Sequence, residues 1–468
     1  MSAPFTAGDV VRWTGGRLLA GAATTTFTGV VIDSRQASDG DLFVAIVGPN
    51  HDAHRFLDDV MAAGASGALV QRGHAGDAIA RCVIEVEDTT RALGELAAGH
   101  RTLFDGTLVA ITGSSGKTTT KEMCAAILSA AGPCLKTEGN LNNEFGLPLT
   151  LLRREERHAR AVVELGMNHR GEIARLAAIA KPDVALVTNC GVAHIEFLGS
   201  REAIAEEKGD LYAALGEAGI AIANLDDPLA AAQARRFTGR IIGYSCERDA
   251  DVRARGVGFE AGRFTFSLET PEGVATVSVA GLGETTVTNA TGAAAAALGA
   301  GVSLDDVVDG LAGYRPPRGR MAPYALPGGA TVIDDSYNAN PISMKTSLEA
   351  LATLAQAGAS GGASQAIAVV GDMGELGESA QEAHRETGRL AAKLGLDWLI
   401  AVGDHASLVV EAARDAGMDA DHALVAATTD DASRLVNDCM NDRDWVLVKG
   451  SRAMKLERVV ETLREETP

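Results

Sequence analysis

The sequence predicts an α/β protein of three domains, and two observations carry this prediction. The chain has 468 residues, 46% of them hydrophobic, and this length exceeds what one hydrophobic core usually supports. Apolar runs alternate with helical segments in two separate parts of the chain, which is typical of parallel sheets covered by helices. We therefore expect an N-terminal domain over residues 1–104, a central domain over 105–314 and a C-terminal domain over 315–468.

Short apolar runs that end in polar residues mark the strands of the central domain. They occupy residues 107–111, 161–165 and 183–189. Residues 263–280 alternate with period two around Pro271 and Gly273, which predicts an antiparallel hairpin. The alanine-rich residues 290–298 predict a closely packed helix. Upstream, a strand at 42–46 and a helix at 53–63 suggest a separate N-terminal domain.

Residues 314–320 contain two prolines and a glycine, which break helices, so we place a hinge there. The alternation of strands and helices resumes after this hinge and predicts a Rossmann-like sheet in the C-terminal domain. Its predicted strands are residues 330–333, 366–370, 398–402 and 445–448.

Charge and composition exclude several classes of protein. The formal net charge of -20 disfavours non-specific binding to nucleic acid or to an anionic membrane. Neither a signal peptide nor a run of about 18 apolar residues is evident, so we expect a cytoplasmic protein without a membrane span. The six cysteines lack paired spacing, which indicates reduced thiols rather than a zinc site or disulfides.

The most informative run follows the first strand of the central domain and precedes a helical stretch at 121–131. A glycine turn followed by lysine and threonine forms a cradle for polyphosphate, so the run predicts a phosphate loop that binds ATP. Position 111 is Ile111 where the longer form of the motif has glycine, so this loop is the shorter form. Its residues are Gly113, Ser114, Ser115, Gly116, Lys117, Thr118 and Thr119.

Two further polar residues follow strands of the same sheet. Glu164 ends one strand and His194 follows another through a short loop, so both should face the phosphate loop. Together with Thr118 they form a candidate magnesium site, although magnesium prefers oxygen to imidazole. An ordinary role remains open for each residue: Glu164 as a carboxylate satisfied by backbone N–H groups, and His194 as a hydrogen-bonded loop histidine.

Several longer motifs occur in a fixed order and resemble the Mur ligase family. They are residues 139–148, 164–168, 193–196 and 334–341, with Asp33-Ser34-Arg35 near the start and Lys449-Gly450-Ser451-Arg452 near the end. The resemblance covers nearly the whole chain and includes the short phosphate loop. It is greatest to the branch that adds D-alanyl-D-alanine, for which residues 372–377 are also typical.

The resemblance implies an ATP-dependent amide ligase of peptidoglycan precursor synthesis. Its substrates would be a UDP-N-acetylmuramoyl-tripeptide and D-alanyl-D-alanine, with ATP energising a carboxylate through an acyl phosphate. Lys117 would bind the phosphates and Thr118 a magnesium ion, as is general in phosphoryl transfer. Glu164 and His194 would hold a second magnesium ion. A monomer is expected.

Lys208 matches the family's lysine that carbon dioxide converts to a carbamate. This modification would turn a cation into an anionic oxygen ligand for metal, and Lys208 is therefore both a catalytic and a metal-site candidate alongside Lys117 and His194. The competing interpretation is a solvated surface lysine, which is the ordinary fate of this residue type.

Three residues match family positions on the nucleotide. They are Asn289, Arg320 and Asp335. Because Arg320 and Asp335 lie beyond the predicted hinge, their contact with ATP implies closure of the C-terminal domain, which would exclude water from the acyl phosphate. An interdomain salt bridge for Arg320 and a helix cap for Asp335 stay open as alternatives.

Candidate residues for the UDP-linked substrate come from two segments. Ser34 and Arg35 resemble the part that holds the UDP moiety, and Asn142 and Asn143 suit a polar sugar and peptide. Turn or capping roles are equally natural for adjacent asparagines. Other functions compete with the ligase of this branch. One is another ligase of the family, such as the one that adds the third residue, or a folylpolyglutamate synthase-like enzyme. The other is a phosphate-loop switch or binding protein.

Overall fold

The computed structural model describes residues 3–74, 81–191, 195–358 and 364–466, and their principal sheets follow one another along the chain. The first is five-stranded in the order β2-β9-β8-β5-β4, with β2 antiparallel to its neighbour and the other pairs parallel. The elements of this region are β1 (Phe5–Thr6), α1 (Ala7–Thr14), β2 (Arg17–Ala20), β3 (Thr26–Phe27), β4 (Gly29–Val31), β5 (Asp41–Val44), β6 (Val47–Gly48), β7 (His51–Asp52), α2 (Leu57–Ala62), β8 (Gly67–Gln71), β9 (Cys82–Val86) and α3 (Thr89–Arg101).

The second sheet contains nine strands among the described residues and carries the phosphate loop. Its order is β11-β12-β10-β13-β14-β15-β16-β17-β18, parallel as far as β16 and antiparallel beyond it. The elements are β10 (Thr107–Thr112), α4 (Lys117–Ala130), β11 (Cys134–Lys136), α5 (Gly146–Leu152), β12 (Arg160–Glu164), α6 (Glu172–Ala180), β13 (Val184–Val187), α7 (Ile195–Leu198), α8 (Arg201–Ala213), β14 (Ile220–Asn224), α9 (Pro228–Ala234), β15 (Arg240–Ser245), β16 (Val252–Glu260), β17 (Arg263–Thr270), β18 (Gly273–Ala280), α10 (Thr285–Gly299) and α11 (Leu304–Gly313).

The third sheet has the order β19-β20-β24-β21-β22-β23, with only β19 antiparallel within the described range. This is the open, mainly parallel sheet that the sequence predicts for the C-terminal domain. Its elements are β19 (Ala322–Ala325), β20 (Thr331–Asp335), α12 (Pro341–Gly358), β21 (Ala366–Gly371), α13 (Ala380–Lys393), β22 (Trp398–Val402), α14 (Ala406–Asp415), β23 (Ala423–Ala426), α15 (Thr429–Cys439), β24 (Trp445–Lys449) and α16 (Glu457–Glu466).

The first two sheets share a continuous apolar core. Phe5 and Leu93 from the N-terminal region belong to the same buried cluster as Leu108 in β10 and Leu147 in α5 of the central region. Burial of apolar surface is the main favourable term in folding, so this shared core stabilises the contact between the two regions. Within the described parts of the chain, no helix is both long and apolar enough to cross a bilayer.

The sheet order places the functional segments at one edge. Strands β12, β10 and β13 are neighbours, and each is followed by one of the polar segments singled out in the sequence. Because parallel strands bring their carboxyl ends to the same edge, the phosphate loop, Glu164 and the segment after β13 converge.

Candidate functional site

The phosphate loop joins β10 to α4 and depends on two glycines. Gly113 has φ 154° and Gly116 has φ 75°, backbone conformations that side chains strongly disfavour. Space is also restricted, since a Cβ at position 113 would lie 1.8 Å from Thr188 Oγ1 and one at position 116 would lie 2.5 Å from Asn289 Oδ1. The loop therefore requires glycine at both positions.

Lys117 begins α4, and its amine turns back over the loop. Its Nζ donates a hydrogen bond to the Gly113 carbonyl oxygen at 2.8 Å. Burial lowers the pKa of Lys117 while the nearby Glu164 carboxylate raises it, and the net shift is downward. In this position the lysine and the N-terminus of α4 together form an anion site.

Thr118, the residue after Lys117, lies in a cluster of oxygen-bearing side chains. Thr118 Oγ1 donates to Glu164 Oε2 at 2.9 Å, and Asn142 Nδ2 donates to Glu164 Oε1 at 2.8 Å. Arg320 Nη2 donates to Thr118 Oγ1 at 3.2 Å, so a guanidinium group from beyond the predicted hinge reaches this cluster. Hydroxyl and carboxylate oxygens are a donor set that fits magnesium. The third residue of the predicted metal set, His194, lies outside the described residues.

Lys208 is not a surface lysine. It lies in α8 with 1% of its surface exposed, and Ser200 caps the start of that helix by accepting from the Ala203 amide at 3.1 Å. Burial, helped by the positive charge of Lys117, lowers the pKa of Lys208 to about 7. The competing interpretation of a solvated side chain is therefore wrong, and a neutral amine is available near neutral pH.

The C-terminal region completes the site from the opposite side. Asp335 ends β20 and is buried, where its carboxylate accepts from Lys449 Nζ at 2.5 Å, from Ser347 Oγ at 2.7 Å and from the Met321 amide at 3.2 Å. A cavity of about 430 Å³ lies between these residues and the phosphate loop. Its lining includes Ser114, Ser115, Gly116, Lys117, Thr118, Thr119, Asn289, Arg320 and Asp335.

Asn289 and Arg320 each have a clear structural position. Asn289 lies in α10, and its Oδ1 accepts from Thr120 Oγ1 at 3.2 Å, which ties that helix to α4. The guanidinium of Arg320 lies 4.1 Å from the centre of the Tyr337 ring, a cation–π contact that fixes its approach to the loop.

The four predicted substrate residues have different local contacts. Arg35 is exposed and paired with Asp33 through two hydrogen bonds of 2.9 and 2.6 Å, next to Ser34 in a short 3-10 helix. Asn142 contacts Glu164, whereas Asn143 Oδ1 accepts from the amides of Phe145 and Gly146 at 3.2 and 2.9 Å and so forms the turn before α5. The turn role that is natural for adjacent asparagines thus applies to Asn143, and substrate binding by these four residues stays a prediction.

The segment 372–377, typical of the D-alanyl-D-alanine branch, follows β21 and approaches the central sheet. The Asp372 carboxylate accepts from the amides of Asp404 and His405 at 2.8 and 3.0 Å and so fixes the start of α14. Glu375 has φ 61°, a strained conformation for a residue other than glycine. A Cβ on Gly377 would lie 3.3 Å from Glu196 Cγ, so this loop packs against α7.

Two important residues of the site were not among the candidates from sequence. Asn189 follows β13. Its side-chain Oδ1 accepts from the backbone N–H of Ser115 at 3.0 Å, and its side-chain Nδ2 donates to the Ser115 carbonyl oxygen at 3.1 Å. Lys449, at the end of β24, neutralises Asp335. Both are polar residues that follow apolar strands, which is the signal that identified Glu164.

Comparison with known proteins identifies the family. Residues 111–297 match the family model described as the Mur ligase middle domain, and residues 319–452 match the Mur ligase, glutamate ligase domain. The UDP-N-acetylmuramoyl-tripeptide–D-alanyl-D-alanine ligase of Escherichia coli (strain K12) is 36% identical over 451 residues, which cover 95% of each chain. The ligase of the same name from Bacillus subtilis (strain 168) is 33% identical over 94% of each chain.

Solved structures agree with this assignment. A crystal structure of MurF from Acinetobacter baumannii superposes with a TM-score of 0.89 at 35% identity, covering 99% of this chain and 100% of that one. The MurF ligase of Thermotoga maritima in complex with ADP gives a TM-score of 0.82 at 30% identity, covering 94% and 97%. The predicted α/β class and the family resemblance are both confirmed, and the chain belongs to the Mur ligase family.

Proposed function

We propose that this chain is an ATP-dependent ligase that joins D-alanyl-D-alanine to a UDP-N-acetylmuramoyl-tripeptide in the synthesis of the peptidoglycan precursor. The observation that carries the proposal is the contact of Arg320 with Thr118, whose hydroxyl in turn donates to Glu164, at the phosphate loop where the second and third sheets meet. Relatives that are 33 to 36% identical over nearly the whole chain bear the name of this activity.

The chemistry explains why positive groups gather at this site. A carboxylate is a poor electrophile, so a carboxylate oxygen of the tripeptide attacks the γ-phosphorus of ATP and ADP leaves. The amine of the dipeptide then attacks the carbonyl carbon of the acyl phosphate, the C–O bond to phosphate breaks, and the amine proton is lost. Lys117 and Arg320 stabilise the negative charge on the phosphoryl group by their fixed positions. Thr118 and Glu164 would hold magnesium ions, which would supply further charge neutralisation.

Lys208 is proposed to act as a carbamate. Its neutral amine adds to carbon dioxide, forming an N–C bond and releasing a proton, and the product is an anionic oxygen ligand beside the metal site. The buried position and the lowered pKa of Lys208 support this role. A Lys208→Ala variant should lose activity, and short carboxylic acids should restore part of it. Full activity in the variant, or no rescue, would count against the carbamate.

The reaction is tested by its product. Purified protein with ATP, a UDP-tripeptide and D-alanyl-D-alanine should release phosphate and form a product whose mass corresponds to an amide-linked pentapeptide. A single amino acid with a UDP-dipeptide should give neither, which separates this activity from the ligase that adds the third residue. ATP hydrolysis that is equally fast without the muramoyl acceptor would instead favour a phosphate-loop switch and overturn the proposal.

The remaining expectations concern location and assembly. A cytoplasmic monomer fits a precursor ligase whose substrates are nucleotide-linked. No binding of nucleic acid is expected from a chain with a formal charge of -20.

A further inference from the structure

The residue of interest is Lys121, a lysine that the proposed reaction does not use. It lies in α4, three positions after Thr118, and none of its surface is exposed. Burying a lysine is costly unless its charge is paired and its N–H groups are hydrogen-bonded. A fully buried ammonium one turn from the proposed metal site therefore needs a reason.

The partners of Lys121 supply one. Its Nζ donates to the Thr137 carbonyl oxygen at 2.7 Å and to Glu122 Oε1 at 2.5 Å. Burial would raise the pKa of Glu122, but Lys121 and Lys136 hold it below its ordinary value, so the partner of Lys121 is a charged carboxylate. Lys121 thus joins α4 to the chain that follows β11.

Thr137 passes this connection on to β12. It is also fully buried, its amide donates to the Val162 carbonyl at 3.1 Å, and its Oγ1 accepts from the amide of Glu164 at 3.0 Å. All polar atoms of Thr137 are therefore engaged, and they fix the backbone from which the Glu164 carboxylate extends. Thr137 also begins the segment that carries Asn142, whose Nδ2 donates to Oε1 of the Glu164 carboxylate.

We infer that Lys121 is a positioning residue that, through Thr137, sets the Glu164 carboxylate beside Thr118. Its Nζ holds Thr137 in place from α4, the same helix that carries Thr118, so one rigid element determines both oxygen ligands. This inference rests on the proposed metal site. It assigns to Lys121 a part in the geometry of that site rather than contact with substrate.

Lys136 offers a matched control. It also pairs with Glu122, at 2.7 Å, but its side chain is 42% exposed and it forms no contact with the Thr137 carbonyl among the described hydrogen bonds. Lys121→Met and Lys136→Met each remove one cation from Glu122. Only Lys121→Met releases Thr137.

The test measures binding of Mn²⁺, as a paramagnetic substitute for magnesium, to the full chain with a non-hydrolysable ATP analogue. Groups that orient metal ligands typically change metal affinity by about 10- to 100-fold when removed. We expect Lys121→Met to weaken Mn²⁺ binding by about 10-fold, and Lys136→Met to weaken it by less than about 3-fold. Thr137→Val, which keeps every charge but removes the acceptor of the Glu164 amide, should resemble Lys121→Met.

Each other outcome has a definite meaning. Equal losses in Lys121→Met and Lys136→Met would show that only the charge on Glu122 matters and would overturn the inference, as would unchanged binding in Lys121→Met. If Lys121→Met does not fold, Thr137→Val still tests the connection to Glu164: it keeps the bond from Lys121 to the Thr137 carbonyl, and unchanged Mn²⁺ binding there would overturn the inference. Glu164→Gln distinguishes the metal site from the role of Lys121. Unchanged Mn²⁺ binding in Glu164→Gln would overturn the proposed metal site. Weaker Mn²⁺ binding in Glu164→Gln, with unchanged binding in Lys121→Met, would overturn only the role of Lys121.

Discussion

Gly116 and Gly171 provide a controlled test of the phosphate loop. Both precede a helix as its N-cap in the left-handed conformation, with φ/ψ of 75°/−7° before α4 and 81°/−1° before α6. An alanine at either position would cost about 1–2 kcal/mol for its backbone conformation alone. The two sites differ in space, since a new Cβ at 116 would lie 2.5 Å from Asn289 Oδ1 and one at 171 would meet nothing within 4 Å.

The size of the effect follows from that contact. To restore an ordinary contact of 3.4 Å, Asn289 or the loop must move by about 0.9 Å. Misplacement of about 1 Å near reacting groups can cost on the order of 100-fold in rate. We therefore expect Gly116→Ala to lower kcat/KM for ATP about 100-fold, while Gly171→Ala changes it by no more than about 3-fold.

The assay is phosphate release under steady-state conditions, with thermal unfolding of both variants as the measure of stability. Both variants should lower Tm because both alanines adopt the same backbone conformation, and Gly116→Ala should lower it further because of the contact with Asn289. Equal losses of activity in the two variants would refute the argument, because backbone strain rather than the contact with Asn289 would then be the cause. Normal activity in Gly116→Ala would refute it as well.

Three further predictions concern single residues. Arg320→Lys should raise KM for ATP about 10-fold in phosphate-release kinetics, because a lysine lacks the planar fork that reaches Thr118 while stacking on a ring. Lys449→Met should lower the free energy of unfolding by about 3–5 kcal/mol, because it leaves Asp335 buried without its cation, and adding Asp335→Asn should recover part of that loss in chemical denaturation. His100 is buried, and burial lowers its pKa below 6.5, so below that pH the unfolded chain binds more protons than the folded chain. Tm should therefore fall as the pH is lowered from about 7 to about 5, and His100→Gln should flatten this decline.

Much of the fold could be predicted because strands and helices of an α/β protein carry distinct apolar periods. The strands at 107–111, 366–370 and 398–402 agree with β10, β21 and β22 to within one residue. Helix α4 begins at Lys117 rather than at 121, because the left-handed Gly116 supplies its N-cap. Strand β16 was not predicted, since a register shift between Arg255 and Gly258 interrupts its alternation.

The candidate site could be predicted where a residue follows a strand of the same sheet. Glu164 and the phosphate loop meet for this reason, as neighbouring parallel strands end together. Residue type alone was a poorer guide. A lysine such as Lys208 is usually exposed, and only the packing of α8 against the central sheet reveals that it is buried.

The contacts that determine the site join residues far apart in the chain, and this is why sequence patterns could not supply them. Arg320 and Thr118 are 202 residues apart, and Lys449 and Asp335 are 114 apart. A motif shows which side chains lie close together in one segment of the sequence. It does not show which residue far along the chain pairs with them. Since burying Asp335 without its cation would cost several kcal/mol, the partner is as necessary as the motif residue itself. The third sheet therefore contributes to the site in two ways, with Arg320 reaching the phosphate loop and Lys449 pairing with the buried side chain of Asp335.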